Sequence, residues 1–424
     1  MLSEATLRFI ATHREDDVRQ LALRGCREEG VDLPAALQQI AGWQVARHKL
    51  PTWAATEGVL YPPHLSLEQC SSEPAARYKA AVAAPLVKDV AILSQHPQHP
   101  QQPPTTLIDL TGGLGVDFCF LAPLFQQAIY VERQEALCQL ARHNFPLLGV
   151  TNAQSICATC EEYLRQIHHA TMLFADPARR DDHGGRTYGI ADCTPDILTL
   201  RDELLLKADY VMLKLSPMLD WRKAVQDLGE QWVRQVHVVS VGGECKELLI
   251  VLSRQGDGLR LVCWNDGQLF SPEAIGPIGP ISPIRPIGPI RPIRPIGPIR
   301  PISPTPTHYL FEPNASIMKA GCFEAVEAQF GVSQLAQNSH LFLSEKPIDD
   351  FPGRGFRIVA VTSMNKKELK ETLRDIRQAN ITVRNFPLSV AELRKRLKLK
   401  EGGSNYLFAT TLASGDHVLI VCQR

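Results

Sequence analysis

Residues 105–117 read TTLIDLTGGLGVD, and no other stretch constrains the fold of this chain as tightly. Leu107 to Leu110 form an apolar run broken only by Asp109. Glycines follow at 112, 113 and 115, and Val116 opens a segment compatible with a helix. The pattern predicts a buried strand running into a tight glycine turn and then a helix N-terminus. A Cβ in such a turn would block positive φ and hold a ligand off the backbone, so a small molecule can lie directly against the main chain.

The next segment, AIYVERQ at 128–134, reads as a second strand ending in an acid, Glu132. In a nucleotide-binding βαβ unit, an acid at that place accepts hydrogen bonds from ribose hydroxyls. The glycines do not read G-x-G-x-x-G. Asp109-x-x-x-Gly113-x-Gly115 instead resembles motif I of class I S-adenosylmethionine-dependent methyltransferases, in the form common among enzymes that methylate nucleic acids. The resemblance implies S-adenosylmethionine as cofactor, with Asp109, Gly113, Gly115 and Glu132 binding it.

From residue 105 the chain alternates strand and helix, as a doubly wound sheet does. Helical spacing runs from Glu135 to Phe145, where Pro146 is expected to stop it. Residues 153–160 form the third strand and 160–167 the next helix. The fourth strand, from Thr171, ends in Asp176-Pro177-Ala178-Arg179. Ligands of such sheets sit outside the carboxyl ends of the strands, so Asp176 lies where an acceptor would meet the cofactor. Amino-group methyltransferases carry an acid, Asn or Ser followed by Pro-Pro-aromatic here, and RNA carbon methyltransferases often carry Asp-Pro-Pro-Arg. The resemblance thus implies a catalytic role for Asp176, Pro177 and Arg179. An acid and a proline-fixed carbonyl can accept hydrogen bonds from an exocyclic NH₂ and aim its lone pair at the sulfonium carbon. Ala178 and Arg179 depart from the pattern and leave the acceptor atom open between a base amino group and a ring position. Arg179 cannot stack as Tyr or Phe would, although a guanidinium can cover a base face or hold a phosphate.

Two further features have two readings each. Lys214 is an isolated charge in the apolar fifth strand, YVMLKLSPMLDW, and either reaches out of the strand end or faces the cleft. The segment QCSSEPAARYK, 69–79, is either a plain capped helix start, with Ser71 or Ser72 as N-cap, or a piece that closes over the cofactor. Methyltransferases often place an Asp after the third strand for the adenine amino group. This chain has Thr159 there, with Glu161 or Glu162 as the substitute. VHVVSVGGECKELLIVL, 236–252, reads as the closing hairpin of a methyltransferase sheet.

Residues 1–95 read as a helical N-terminal domain, with apolar residues at helical spacing in 35–45 and 74–93 and Pro85 expected to kink or break the second of these. HPQHPQQPP, 96–104, is a linker by composition. The methyltransferase domain spans 105–272, and a low-complexity insert spans 276–307. Its nine X-Pro-Ile triplets, 276–302, exclude collagen because glycine is not at every third position. HYLFEPN, a helix at 315–330 and SHLFLSE predict a β-α-β unit over 308–350, and 351–424 a β-α-β-α-β-β tail. YLFEPNASIMKAG and this tail, with SSEPAARYK and LTGGLGVD, resemble a bacterial methyltransferase group whose catalytic domain precedes a ferredoxin-like unit and a THUMP-like C-terminal domain. The expected fold is therefore α/β: a Rossmann-like seven-stranded methyltransferase sheet, an N-terminal helical domain and small α+β C-terminal domains.

Charge singles out the tail. The whole chain has 45 Lys/Arg and 45 Asp/Glu, but 351–424 holds 14 against 6, so the tail carries +8 and the remainder −8. Arg394, Lys395, Arg396 and Lys398 cluster on one helix there and are the expected RNA-binding residues. THUMP domains proper bind RNA in tRNA-modifying enzymes, so the resemblance implies an RNA partner, tRNA and rRNA not being distinguished. The eleven cysteines are odd in number and mostly lie in apolar runs, which suits a reducing cytoplasm. Cys157-x-x-Cys160 stands without a second pair or a nearby His, so no metal is expected. No signal peptide and no membrane span is read. The expected function is methylation of RNA. Methylation of a small molecule or a protein, and a non-catalytic RNA-binding role, are the alternatives.

Overall fold

The computed structural model describes residues 2–94, 104–179, 189–256, 258–272, 308–336 and 338–424. The Pro-Ile triplets and most of the 96–104 linker fall outside the described residues. The chain forms two compact units, 1–241 with 246–259, and 242–245 with 260–424.

The first unit opens with helices α1 (Glu4–His13), α2 (Val18–Arg24), α3 (Leu33–Lys49), α4 (Pro51–Ala55), α5 (His64–Gln69) and α6 (Glu73–Ser94). Ser3, Asp17 and Asp32 start the first three by accepting a first-turn backbone N–H, which satisfies a donor that the helix leaves orphaned. Phe9, Leu21, Ala36 and Ile40 close a small core among them. Pro85 does not break α6, which continues to Ser94. Ala83, Leu86 and Val87 around it are buried, so packing holds the helix across the hydrogen bond that proline removes.

After α6 come β1 (Thr106–Asp109), α7 (Val116–Leu121), β2 (Gln127–Glu132), α8 (Glu135–Leu147), β3 (Ala153–Cys157), α9 (Cys160–Leu164) and β4 (Ala170–Ala175). A short pair, β5 (Ala178–Arg179) and β6 (Cys193–Thr194), leads to α10 (Ile197–Lys207), β7 (Ala208–Leu215), α11 (Trp221–Leu228), β8 (Val233–Val241) and β9 (Glu244–Leu252). Pro146 sits inside the end of α8 rather than stopping it. Its neighbours Asn144 and Phe145 are buried, and Asn144 exchanges two hydrogen bonds of 2.9 Å with the backbone of Leu60. That exchange pins the N-terminal segment to the sheet's flanking helix.

Seven strands of this unit lie in the order β8-β9-β7-β4-β1-β2-β3. β1 pairs in parallel with both β2 and β4, β4 pairs in parallel with β7, and β9 runs antiparallel to β7. The chain therefore lays down β1, β2 and β3 in one direction and then crosses β1 to place β4 on its other side. A sheet that reverses its order in this way opens a crevice at the carboxyl ends of the two strands flanking the reversal. Gly113 follows one of them, β1, and Asp176 follows the other, β4.

The second unit contains β10 (Arg260–Asn265), β11 (Gln268–Phe270), β12 (Tyr309–Pro313), α12 (Ala315–Ala320), α13 (Phe323–Phe330), β13 (Ser333–Gln334), β14 (Phe342–Ser344), β15 (Gly353–Ser363), α14 (Lys366–Thr372), β16 (Asn380–Arg384), α15 (Val390–Leu397), β17 (Asn405–Thr411) and β18 (His417–Gln423). The helix expected over 315–330 is two, because Gly321 adopts a left-handed conformation with φ 65° and ends α12. Strands β12 to β18 form one sheet, ordered β13-β14-β12-β15-β18-β17-β16. Antiparallel pairing of β12 with β15 makes 308–350 and the tail continuous. Glu312, buried on β12, accepts from Arg354 and from Arg384 at 2.9 Å, so it is neutralised by two cations at that seam.

Candidate active site

A cleft of about 650 Å³ opens at the carboxyl ends of β1, β2 and β4. Its back wall is the glycine turn. Gly113 and Gly115 have φ of 54° and 80°, a region closed to most side chains. Their reasons differ. A Cβ on Gly115 would come within 2.7 Å of the Phe145 ring, and one on Gly112 within 2.2 Å of Tyr130, so those glycines let the turn pack onto aromatic rings beneath it. A Cβ on Gly113 would meet only Thr111 O, at 3.7 Å, and Gly113 lines the cleft. It is the position where a ligand can approach the backbone.

Hydrogen bonds stiffen this wall. Oε2 of Glu132 accepts from Gly113 N–H at 2.9 Å and Oε1 from Gln134 N–H at 2.8 Å. The carboxylate is thus held at the end of β2 with lone pairs left for a ligand hydroxyl. Asp109 accepts from Thr111 N–H at 3.0 Å, and Thr111 Oγ1 accepts from Asp176 N–H at 2.6 Å, which couples the turn after β1 to the residue after β4. Burial pushes the Asp109 carboxyl well above its ordinary value. The Thr111 N–H opposes this, and Asp117, Asp176 and Glu132 add to it.

Among sequence-predicted residues, Asp109, Gly113, Gly115, Glu132, Asp176 and Pro177 all line this one cleft. Arg179 contributes its backbone to β5, opposite Cys193, and its side chain lies outside the described residues. Glu161 also lines the cleft, whereas Glu162 closes a capping box with Thr159. Of the two acids after β3, only Glu161 is therefore turned to the site. Neither serine caps α6 with its side chain, since Ser71 Oγ donates to Asp117 and Ser72 Oγ is buried without a hydrogen-bond partner among the described residues. Gln69, Cys70 and Ser71 line the cleft, and α6 starts directly behind them at Glu73.

Sequence reasoning missed a chain of alternating charges below the site. Lys214 does face the cleft and contacts Asp176 Oδ2, with Asp117 Oδ2 3.9 Å away. Asp117 in turn accepts from Ser71 Oγ at 2.8 Å and lies 3.2 Å from Lys79 Nζ, and Lys79 also contacts Glu247. Lys79 is 0% exposed, Glu247 2% and Asp117 8%. Burial alone would raise Asp117, but Lys79, Lys214 and the Ser71 hydroxyl outweigh it and hold the carboxyl below its usual value. Burial alone would lower Lys214, but Asp176, Asp117 and Glu247 outweigh it and keep the ammonium above the usual lysine range. The one signal in the sequence was Lys214 itself, a lone charge in an apolar strand.

Among the described residues the lining includes the acids Asp109, Asp117, Glu132, Glu161 and Asp176 and the bases Arg133, Lys214 and Lys246. The open cradle at Gly113 suits a ligand that lies on the backbone. Away from the cleft, Cys157 lies beside Glu135 and Cys138, their donor atoms within 4.8 Å of one another. The Arg142 guanidinium, 3.4 Å from Glu135, opposes a second cation there. All eleven cysteines are free, and no helix among the described residues is long and apolar enough to cross a membrane.

In the second unit, Lys395, Arg396 and Lys398 are exposed. Arg394 instead turns inward, donating to Ala379 O at 3.2 Å. The four basic residues are thus not equivalent, and Arg394 also holds α15 to its own domain.

Comparison with known proteins places these features. A ferredoxin-like domain model matches residues 309–352, and a THUMP domain-like model matches 353–424. The crystal structure of a candidate methyltransferase from Porphyromonas gingivalis W83 is similar to 99% of this chain and to 97% of its own, at 31% identity and a TM-score of 0.77. More distant likenesses include a Streptococcus mutans protein in complex with SAH, at 16% identity over 35% of this chain and 88% of that one, TM-score 0.27. Another is M. capricolum TrmK in complex with S-adenosyl-homocysteine, at 11% identity over 38% of this chain and 64% of that one, TM-score 0.28. No curated protein matches the chain.

Proposed function

The chain belongs to the methyltransferase family in which a class I catalytic unit is followed by a ferredoxin-like unit and a THUMP-like domain, and on that premise we propose that it methylates RNA, with S-adenosylmethionine as the donor. One observation carries the reading: the Gly113–Glu132 wall and Asp176-Pro177 open into a single cleft, so a donor and an acceptor can meet there.

In this reading Glu132 accepts hydrogen bonds from ribose hydroxyls, the backbone at Gly113 lies against the cofactor, and Glu161 faces the adenine amino group. When bound, S-adenosylmethionine would supply an electrophilic methyl on its sulfonium sulfur. Asp176 and the Pro177 carbonyl accept the two N–H bonds of a base amino group and so hold its lone pair in line.

RNA as substrate rests on the C-terminal unit. Its THUMP-like domain carries +8, and Lys395, Arg396 and Lys398 stand exposed on and just after α15 to contact phosphates. Free cysteines throughout suit the reducing cytoplasm, where such RNA is made. Mass-spectrometric comparison of modified nucleosides in RNA from cells with and without the gene tests the proposal. A methylated nucleoside lost with the gene, and restored by wild type but not by Asp176→Ala, is the expected result. Identical nucleoside profiles would overturn RNA as the substrate.

A further inference from the structure

Three carboxylates and two ammoniums, from Glu247 on β9 through Lys79 on α6, Asp117 on α7 and Lys214 on β7 to Asp176 after β4, alternate in sign from the protein interior to the cleft. Side-chain exposure is 3% at Glu247 and 0% at Lys79, and rises from there through 10% at Asp117 and 12% at Lys214 to 39% at Asp176. Asp117, Lys214 and Asp176 line the cleft, and Asp176 is the most exposed of the three. Ser71 and Lys79 come from the segment preceding the glycine turn, so the N-terminal helices supply part of the support for the acceptor end of the site.

We propose that Lys214 is a positioning residue for the acceptor: by holding Oδ2 of Asp176 from below, it leaves Oδ1 as the side-chain oxygen presented to the acceptor amino group. This rests on the methyltransferase reading and adds a residue to it. The backbone N–H of Asp176 is held separately by Thr111, so the main chain is fixed and the carboxylate rotation is the freedom that remains. Among the described residues Lys214 is the cation that removes it. Asp117 behind Lys214 keeps the ammonium at that depth, and Lys79 with Ser71 keeps Asp117 there. Without the ammonium, Asp176 would lose its cation while Asp117 kept Lys79, and the Asp176 carboxylate would turn toward water. Lys214 Nζ is engaged by Asp176 and Asp117, so it acts on the acceptor through Asp176.

The experiment uses the full chain, tritiated S-adenosylmethionine and, as acceptor probe, total small RNA from cells lacking the gene. Wild type must transfer label to this RNA. If it does not, the RNA reading fails and the same variants are compared on a protein extract of those cells. Lys214→Met should lower kcat about 10²-fold, the scale of losing an aligned geometry. KM for RNA and calorimetric affinity for S-adenosylhomocysteine should stay within about threefold, which is less than a hydrogen bond's worth. Lys214→Arg, which keeps a cation, should recover part of kcat. In an Asp176→Asn background the same Lys214→Met change should have little further effect, because the residue it positions is already altered. Retained cofactor affinity certifies the fold of each variant. Should Lys214→Met not keep that affinity, Lys214→Arg alone decides, by whether kcat falls at unchanged KM. An unchanged kcat in Lys214→Met, or full additivity of the two changes, would overturn the proposal.

Discussion

The backbone N–H of Gly113 donates to Oε2 of Glu132 at 2.9 Å, so the turn after β1 and the acid at the end of β2 form one edge of the cleft. Glu132→Ala should remove both this brace and the ribose contact. Affinity for S-adenosylmethionine is expected to fall by about 1.5–3 kcal/mol, the range for a hydrogen bond to a charged group. Calorimetric titration reads this directly, and unchanged affinity would remove Glu132 from the cofactor site.

Two glycines of the same turn should fail differently. Gly113→Val fills the open cradle at φ 54° and is expected to abolish cofactor binding in a protein that still shows a cooperative unfolding transition. Gly115→Ala drives a Cβ to 2.7 Å from Phe145 and should instead lower stability, by about 1–3 kcal/mol for an overpacked site. Titration and denaturant unfolding of the pair separate the two roles. Both positions have positive φ and both variants carry backbone strain, so the contrast lies in binding: retained cofactor affinity in Gly113→Val would overturn it.

Asp109 gives a pH dependence with a definite sign. Its folded-state pKa is raised by burial, so between the unfolded value of about 3.9 and the folded one the native state binds more protons than the unfolded state. Stability from this group is complete below the unfolded pKa and is lost as pH rises through the folded one. Asp109→Asn keeps an acceptor for Thr111 N–H without the charge. The variant should therefore have a flatter profile and match or exceed wild type at neutral pH. Urea unfolding across pH 4–8 checks this, and parallel curves would refute it.

Lys79 is fully buried between Asp117 and Glu247. Lys79→Met strands two carboxylates, and breaking a buried pair in this way costs about 3–5 kcal/mol. Loss of that size in chemical denaturation is expected. A loss under about 1 kcal/mol, the worth of a surface pair, would mean that water reaches the network.

The tail prediction separates contact from scaffold. Lys395→Ser with Arg396→Ser removes two exposed charges and spares Arg394, which holds Ala379. If both meet phosphates, the log–log salt slope of RNA binding should flatten by about 1.4, at about 0.7 per phosphate on a single strand. Cofactor affinity should not change. A slope equal to wild type would move the RNA-contacting face elsewhere.

Local pattern in the sequence was enough for the strand, glycine turn and helix at 105–121, for the acid ending β2 and for Asp176 ending β4. Each depends on the periodicity and the backbone demands of a few neighbouring residues. The order of β-α-β-α-β-β elements in the tail was legible for the same reason. Helix ends were less so: Pro85 and Pro146 stayed inside helices because buried neighbours outweighed a missing hydrogen bond, and Gly321 divided a helix that periodicity alone ran together. Tertiary structure alone decided that Glu161 rather than Glu162 turns to the cleft, and that Lys214 points into it. It alone brought Lys79 to Glu247, 168 positions away. Charge pairing across helices and strands depends on how those elements dock and in which register, and one sequence position carries no mark of the partner that packing will bring to it.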